Sequence, residues 1–592
     1  MLDGMVKEKY ADLFVDWLVE DGYSTCFFVA GGNSMHLLNA CRKKLRCIPF
    51  VHEVSAGIAA EYFNEVSTTG RAFVLVTAGP GLTNLVTAIS GAWLESRELL
   101  VIGGQVKSTD LADGEMRQRG IQEVNGIEIV RSITKVNMRL TEPAMRSELI
   151  DAINRSRTPR KGPCFIEICL DVQAAPVNRS EYEDLHEKTK PIKLDSLDEE
   201  IKEIRMLLKE SKRPVALFGG GLDRNHVKDF ASKIDKWGVP ILTSWNGADR
   251  YASDRPFWYG RPDTWGMRFS NAIVQKSDLV IAFGARLSYQ QTGFNWSGFA
   301  PNAKIVHIDI DRSELDKGHP RSHIKICGDA NLILQKLIDE PLEKKPWISL
   351  CQKIKGALPL NDAANSQHEG FLQPYDFSEK LANLCESNDM VIPCSSGGAN
   401  TVLMQSFMNK TGQYFFNNKA LASMGYGLAG SIGVSLAHPD RRTVLVEGDG
   451  GFAQNLQELA TVKVNTLDLK MFLFANNGYA SIRMTQRNYF DGAYLGCDVE
   501  SGLGFPEWTL LAAAFGIKSM TLSEGFETDE AFLTGWYSRD PCLFIVPIHA
   551  EQTYFPKISS QITESGSMES APLHKMSPPL STELIRDLEL DF

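Results

Sequence analysis

A short apolar, β-branched run, Thr443-Val-Leu-Val446, leads into Glu447-Gly-Asp-Gly-Gly-Phe452, and a second apolar run, Leu469–Ala475, leads into Asn476-Asn-Gly478. Between them, Asn455-Leu-Gln-Glu-Leu-Ala460 has helical character. Strand, helix and strand at this spacing predict a βαβ unit, whose two strands lie parallel with their carboxyl ends on one edge of a sheet. Asp449 and Asn476 then leave adjacent strand ends and can meet at one point. Gly450 and Gly451 let backbone N–H groups approach a phosphate, and the helix N-terminus that follows favours negative charge. The Asp449 carboxylate, the Asn476 amide oxygen and the Gly478 carbonyl are hard oxygen ligands. They suit a Mg²⁺ that completes its octahedron with two phosphate oxygens and a water. The pattern predicts a Mg²⁺–diphosphate site built from Gly448, Asp449, Gly450, Gly451, Asn476, Gly478, Tyr479 and Ala480.

A lone Gly-Asp-Gly is usually a turn after a buried strand; the second half at this distance is what makes the pair specific. Residues 51–64 read Val-His-Glu53-Val-Ser-Ala-Gly-Ile-Ala-Ala-Glu61-Tyr-Phe-Asn, with Glu53 opening a small-residue, helix-like run. An apolar strand, Phe73–Ala78, follows and runs into Gly79-Pro80-Gly81-Leu-Thr-Asn84. The two constellations together resemble the thiamine diphosphate (ThDP) enzymes over almost the whole chain. Three further stretches resemble the acetolactate synthases among them: Ala92-Trp-Leu-Glu-Ser-Arg97 with Val101-Ile-Gly-Gly-Gln105 as a strand and glycine turn, Gln118-Arg-Gly-Ile-Gln122-Glu123, and Ala422-Ser-Met424-Gly-Tyr-Gly427.

The resemblance implies roles. Glu53 would hydrogen-bond the aminopyrimidine and drive the tautomer that removes the thiazolium C2 proton. Gln122 would reach the active site, and Met424 would wedge between the two cofactor rings, against its plainer reading as a core methionine. Gly31, Gly32, Pro80, Asn84, Ser396, Gly397 and Gly398 would contact the cofactor. Glu61 and Glu65 read as charges on a helix face.

The expected fold is α/β, with three doubly wound domains of mostly parallel sheets. Residues 1–177 form a pyrimidine-binding domain, 196–345 a central nucleotide-binding-like domain and 373–555 the diphosphate domain, joined by polar linkers at 178–195 and 356–372. A chain of 592 residues with 43% hydrophobic content supports about three or four such units. Residues 556–592, rich in Ser, Pro and Glu, read by composition as a solvated tail; the resemblance implies a segment folded over the active site. In the central domain, Gly219-Gly220-Gly221, Gly284-Ala-Arg286 and Asp309 each follow an apolar strand. Crevices beyond strand ends bind nucleotides, and glycines there are also ordinary turn residues. Acetolactate synthases hold FAD here, which would make Gly220, Gly284, Arg286 and Asp309 flavin contacts; other members hold a different nucleotide or none.

A net charge of −11 argues against nucleic acid and anionic membranes as partners. Eleven scattered cysteines without a C-x-x-C pair read as reduced thiols of a cytoplasmic protein. The charged N-terminal stretch and the lack of a long apolar run predict neither signal peptide nor transmembrane span.

Departures from the family pattern bear on the reaction. Cys394-Ser-Ser-Gly-Gly398 stands where a Gly-Gln-His is usual, and Asn33, Ser34 and His36 in Ala30-Gly-Gly-Asn-Ser-Met-His36 bring polar groups towards the acceptor side. His36 alone also reads as a structural histidine. No two of the eleven histidines are adjacent, so the tandem pair of simple decarboxylases is missing. The expected activity is a ThDP- and Mg²⁺-dependent carboligase that decarboxylates a 2-keto acid, with pyruvate the expected donor, and passes the two-carbon unit to an acceptor carbonyl such as that of a keto-sugar. The alternatives are a lyase or decarboxylase of larger 2-keto or 2-hydroxyacyl substrates, and a silent scaffold. The resemblance also implies a homodimer or homotetramer, because the pyrimidine and diphosphate sites that grip one cofactor come from different subunits.

Overall fold

The computed structural model describes residues 7–112, 114, 116–158, 160–184, 197–562 and 568–590. Most of the first linker, the opening residues and part of the tail thus lie outside the described residues. The N-terminal domain contains β1 (Glu8–Lys9), β2 (Tyr23–Phe28), β3 (Arg46–Pro49), β4 (Arg71–Val76), β5 (Leu99–Gln105), β6 (Val136–Leu140), β7 (Pro163–Cys169) and β8 (Pro176–Val177). Strands β2 to β7 form a parallel sheet in the order β3-β2-β4-β5-β7-β6, and β1 pairs with β8 antiparallel. The central sheet, ordered β10-β9-β11-β12-β13, comprises β9 (Pro214–Phe218), β10 (Ile241–Thr243), β11 (Leu279–Phe283), β12 (Lys304–Asp309) and β13 (Ile324–Cys327). The third, ordered β15-β14-β16-β17-β19-β18, comprises β14 (Met390–Pro393), β15 (Tyr414–Phe415), β16 (Thr443–Gly448), β17 (Leu469–Ala475), β18 (Lys518–Thr521) and β19 (Cys542–Pro547). All pairs in these two sheets are parallel.

Continuous apolar runs explain the parallel arrangement. β5, β7, β9 and β11 are buried at every residue, as expected of strands covered by helices on both faces. Each sheet has a gap from which the chain runs outward in opposite directions: between β2 and β4, between β9 and β11, and between β14 and β16. Ligands of doubly wound sheets bind beyond the carboxyl ends at such reversals. The three reversals are where Gly31–Asn33 and Thr77–Gly79, Gly219–Gly221 and Gly284, and Ser395–Gly398 and Gly448–Asp449 leave their strands.

The two outer domains share one core. Helix Glu53–Val66 packs against helix Tyr426–Ala437, and glycines set the distance: a methyl on Gly433 would lie 2.0 Å from the Ala59 carbonyl oxygen, and one on Gly430 would lie 2.6 Å from the Tyr62 ring. This close contact corrects the reading of Glu61 and Glu65 as helix-face charges. Glu61 is fully buried and pairs with Arg97 at 2.8 Å, while Glu65 pairs with Arg224 of the central domain at 2.5 Å. Arg224 in turn bonds Asp249 at 2.8 Å, and Arg97 donates to the Asn417 carbonyl at 2.6 Å, so one buried ionic network ties all three domains. Burial pushes the Glu61 carboxyl up to about 7, against the pull of Arg97.

Three local expectations also change. Gly103 and Gly104 lie inside β5 rather than in a turn, and Gly104 is required because a methyl there would stand 2.1 Å from the Asn33 carbonyl oxygen. The expected helix at 455–460 is interrupted at Asn455, whose φ is −131°, because its side-chain amide donates to the Gly425 carbonyl at 2.7 Å. In the tail, Leu573, Leu588 and Leu590 join the central-domain core, and Lys557–Ile558 pairs with Met576–Ser577. No helix among the described residues is long and apolar enough to cross a membrane.

Candidate active site

β16 ends at Gly448, and a helical turn begins at Asp449. One Asp449 oxygen accepts the Gly450 N–H at 2.8 Å, and the other accepts the N–H groups of Asn476 at 3.0 Å and Asn477 at 2.7 Å. The carboxylate thus joins two adjacent strand ends, as the βαβ reading requires. Burial pushes its carboxyl up to about 6, opposed by those amides. Asn477 takes a left-handed φ of 55°, and the buried Oδ1 of Asn476 accepts no hydrogen bond from the protein. An orphaned buried acceptor costs about 1–3 kcal/mol. A cation ligated by Asp449 and Asn476 would remove both liabilities, so the donor set fits Mg²⁺.

The surrounding glycines form a cradle. A methyl on Gly450 would lie 2.3 Å from the Tyr479 ring, and one on Gly478 would lie 2.2 Å from the Cys497 carbonyl oxygen, whereas Gly448 and Gly397 face open space. Across the reversal, Ser396 precedes helix Gly397–Ser406, whose first amides have no intrahelical acceptor and form an anion-binding end. Met424 stands half-buried beside it, in a turn held by a Ser395 hydroxyl to Ser423 carbonyl bond and by Asn455 on Gly425. The raised Asp449 pKa gives a signed expectation. Below about 6 the proton competes with the metal, so Mg²⁺ affinity should fall as pH drops through that value. Equal affinities in titrations at about pH 7.5 and about pH 5.5 would remove Asp449 from the ligand set.

Glu53 is the first residue of its helix, is 8% exposed, and accepts a 3.0 Å bond from the Asn84 amide. The two amides before it, Val51 and His52, donate to Glu458 at 3.4 and 3.0 Å. Glu458 belongs to the C-terminal sheet domain, so that domain sets the approach to Glu53.

The turns after β2 and β4 meet the loop carrying Gln122. The Asn33 N–H donates to Thr77 Oγ1 at 3.3 Å, the Asn33 side-chain amide donates to the Ile121 carbonyl at 3.3 Å, and a methyl on Gly79 would lie 2.3 Å from the Gln122 carbonyl oxygen. Gln122 has φ of 62°, a left-handed conformation that in a side-chain-bearing residue marks sites held under strain. Neither Ser34 nor His36 joins this junction. The Ser34 hydroxyl donates to the Gly31 carbonyl at 3.2 Å inside its own turn, and His36 Nδ1 faces Lys9 Nζ at 3.4 Å. Partial burial, then Lys9, lowers the His36 pKa.

Sequence models of one enzyme class match the chain in order. The thiamine pyrophosphate enzyme N-terminal TPP binding domain matches residues 8–129, the central domain 201–337 and the C-terminal TPP binding domain 396–546. The chloroplastic acetolactate synthase of Arabidopsis thaliana is 29% identical over 569 residues, which is 93% of this chain and 83% of that protein. The large subunit of acetolactate synthase isozyme 1 of Escherichia coli K12 is 28% identical, covering 93% of this chain and 95% of its own length. The chain belongs to the thiamine diphosphate-dependent, acetolactate synthase-like enzymes.

The crevice described above lies within the residues matched by the C-terminal TPP binding domain model. The central crevice is less uniform. Gly219 to Gly221 pack directly on Gly284, and a methyl on Gly219 would stand 2.1 Å from the Gly284 carbonyl oxygen. Arg286 pairs with Glu314 at 3.1 Å, and Asp309 accepts the Asp311 N–H at 2.9 Å, so both are engaged within the protein. Among the described residues, the buried groups here without a protein partner include Asn246 Oδ1, on the residue beside Gly220, and Gln291 Nε2. Thr77, Glu458 and Asn246 were not signalled by any motif; each comes from a segment distant in sequence from the residue it serves.

Proposed function

We propose that this enzyme is a Mg²⁺-dependent carboligase that decarboxylates a 2-keto acid, pyruvate being the simplest donor, and transfers the two-carbon unit to a polar acceptor carbonyl of the keto-sugar type. The observation that supports a polar acceptor is Asn33, whose amide stands at the junction of the β2 and β4 turns with the Gln122 loop. ThDP, when bound, supplies a nucleophilic carbon and holds the electron pair left by departing CO₂. Asp449, Asn476 and Gly478 would hold the metal, and the amides of Gly397 and Gly398 would face the diphosphate. Glu53, kept in place by Asn84 and approached through Glu458, holds and returns a proton at the pyrimidine. Protonation would release the two-carbon unit as an aldehyde, so a crevice that keeps water out favours transfer.

Release of CO₂ from a panel of 2-keto acids, with and without keto-sugar acceptors, tests this reading. Coupled product that needs both partners supports it. Release that ignores every acceptor would favour the second reading, a decarboxylase or lyase of larger 2-keto substrates, and the lack of adjacent histidines argues against that outcome. Asn33→Ala is expected to lower coupled product about tenfold, the scale of one lost hydrogen bond to a reacting group, while sparing CO₂ release. His36→Ala should leave both within about twofold, since its ring faces Lys9. Equal loss of both channels in the Asn33 variant would move that residue out of the acceptor pocket.

We further propose a two-fold assembly in which the partner covers the Gln122 loop; Ile121 on that loop is 84% exposed in the single chain. Eleven free cysteines suit a reducing compartment, in keeping with a cytoplasmic location. The orphaned Asn246 and Gln291 groups support a nucleotide in the central crevice, FAD by family likeness. The visible spectrum of the purified protein tests it.

A further inference from the structure

Tyr554 lies outside every motif considered above and beyond residue 546, where the match to the diphosphate-binding domain ends. It follows β19, on the segment that leads from the diphosphate domain into the tail. Its side chain is 7% exposed, and its ring packs in a small cluster with Tyr375, Val402, Trp265 and Ala480. The next residues are fixed. Asn365 bonds both the N–H and the carbonyl of Phe555, at 2.8 and 2.9 Å, and Gln405 donates to the Pro556 carbonyl at 2.7 Å. The ring therefore has one place to go. That place is against Gly398, where an added methyl would stand 2.8 Å from the Tyr554 hydroxyl oxygen. On its other side the hydroxyl is close enough to the Asn476 side chain and to Asp449 for both to act on it electrostatically.

A phenol hydroxyl thus stands between the two halves of the cradle: the Gly397–Gly398 helix start on one strand end and the Asp449–Asn476 pair on the next two. A phenol is protonated at neutral pH, so its hydroxyl is a hydrogen-bond donor. The Asn476 Oδ1 is itself left without a donor, and that oxygen is the atom assigned above to the metal. We infer that Tyr554 is a cofactor-binding residue whose hydroxyl donates to the diphosphate of ThDP, supplied from the start of the tail. Gly398 is then glycine for a second reason: besides presenting an amide, it leaves room for the phenol.

The inference rests on the Mg²⁺–diphosphate reading of the Asp449 turn, and the experiment separates the two. Calorimetric titrations with Mg²⁺–ThDP, with Mg²⁺–pyrophosphate and with Mg²⁺ alone are run on the wild type, Tyr554→Phe and Tyr375→Phe. Tyr375 belongs to the same aromatic cluster, but its hydroxyl donates to Gln405 at 2.6 Å, away from the cradle. Tyr554→Phe is expected to weaken Mg²⁺–ThDP and Mg²⁺–pyrophosphate by about 10- to 100-fold, the range for a hydrogen bond to a charged group. Mg²⁺ alone should be unchanged, and Tyr375→Phe should stay within about twofold throughout. Diphosphate affinities of Tyr554→Phe within twofold of wild type would overturn the inference. So would equal weakening of Mg²⁺ alone, which would mean that the hydroxyl acts through Asn476, or equal weakening by Tyr375→Phe, which would mean packing. A wild type that binds neither diphosphate probe would instead sink the reading of the site itself. Should Tyr554→Phe fail to fold, 3-fluorotyrosine placed at position 554 gives a second readout: its ¹⁹F resonance must shift on adding Mg²⁺–pyrophosphate, and an unmoved resonance overturns the inference.

Discussion

Glu53→Gln is expected to reduce turnover by a factor on the order of 10²–10⁴, the usual contribution of a general acid–base group, with Mg²⁺–ThDP affinity and fold nearly intact. Glutamine has the shape of glutamate and keeps an oxygen for the Asn84 amide, so the 3.0 Å bond that orients the side chain can persist. What it loses is the negative charge that drives the pyrimidine tautomer. A small stability change of about 0.3–1 kcal/mol is also expected, because an acid at the first position of a helix is favoured by the helix dipole. Steady-state assays paired with a calorimetric titration separate the two effects. Turnover within about threefold of wild type would show that Glu53 is not the acid that drives the tautomer. Glu61 could not replace it: it is fully buried, and Arg97 and the Asn418 amide occupy its carboxylate.

The parts of this site that could be read from the sequence are those in which local pattern and topology coincide. A parallel βαβ unit leaves no freedom about where its strands end, so the meeting of Asp449 with the Asn476 turn followed from the order of apolar and glycine-rich segments alone. Glu53 differs: by itself an acid opening a helix reads as a solvated charge, and only the resemblance points to it. Glu61 and Glu65 were misread because a charge on a helix is usually solvated, and neither glutamate by itself reveals that this helix is buried against another. The signal lay in its neighbours and in the partner helix: Ser55-Ala-Gly-Ile-Ala-Ala60 and Gly427-Leu-Ala-Gly-Ser-Ile-Gly433 are mostly small and apolar, the mark of two helices in close contact. Asn33 and His36 illustrate the opposite limit. Three residues apart on one segment, they look equivalent as polar groups, yet Thr77 and Ile121 claim one and Lys9 the other. In the tail, composition hid three leucines, 573, 588 and 590, that reach the central core and anchor an otherwise polar segment.

Removing the metal ligand should have the larger effect. Asp449→Ala is expected to abolish retention of Mg²⁺–ThDP, a loss on the order of 10³-fold or more, because two separate contributions vanish together. The first is the ligand itself, without which the diphosphate charge is uncompensated. The second is structural: the Asp449 carboxylate accepts three backbone N–H groups and ties β16 to the turn that carries Asn476 and Gly478. Alanine leaves those amides unpaired, and the other two ligands lose their alignment. Asp449→Asn separates the contributions, since an amide oxygen can still accept from that turn but brings no charge; it should recover part of the stability and little of the metal affinity. A titration showing wild-type affinity in either variant would remove the basis for the metal site. The same variant tests the assembly. Glu53→Gln and Asp449→Ala are each defective in one half of the cofactor site. If the halves come from different subunits, mixing the two proteins under conditions that allow subunit exchange regenerates one intact site per mixed dimer. Activity should then rise above that of either parent, up to about one quarter of wild type if exchange is random and half of all dimers are mixed. If both halves came from one chain, no mixture could restore it.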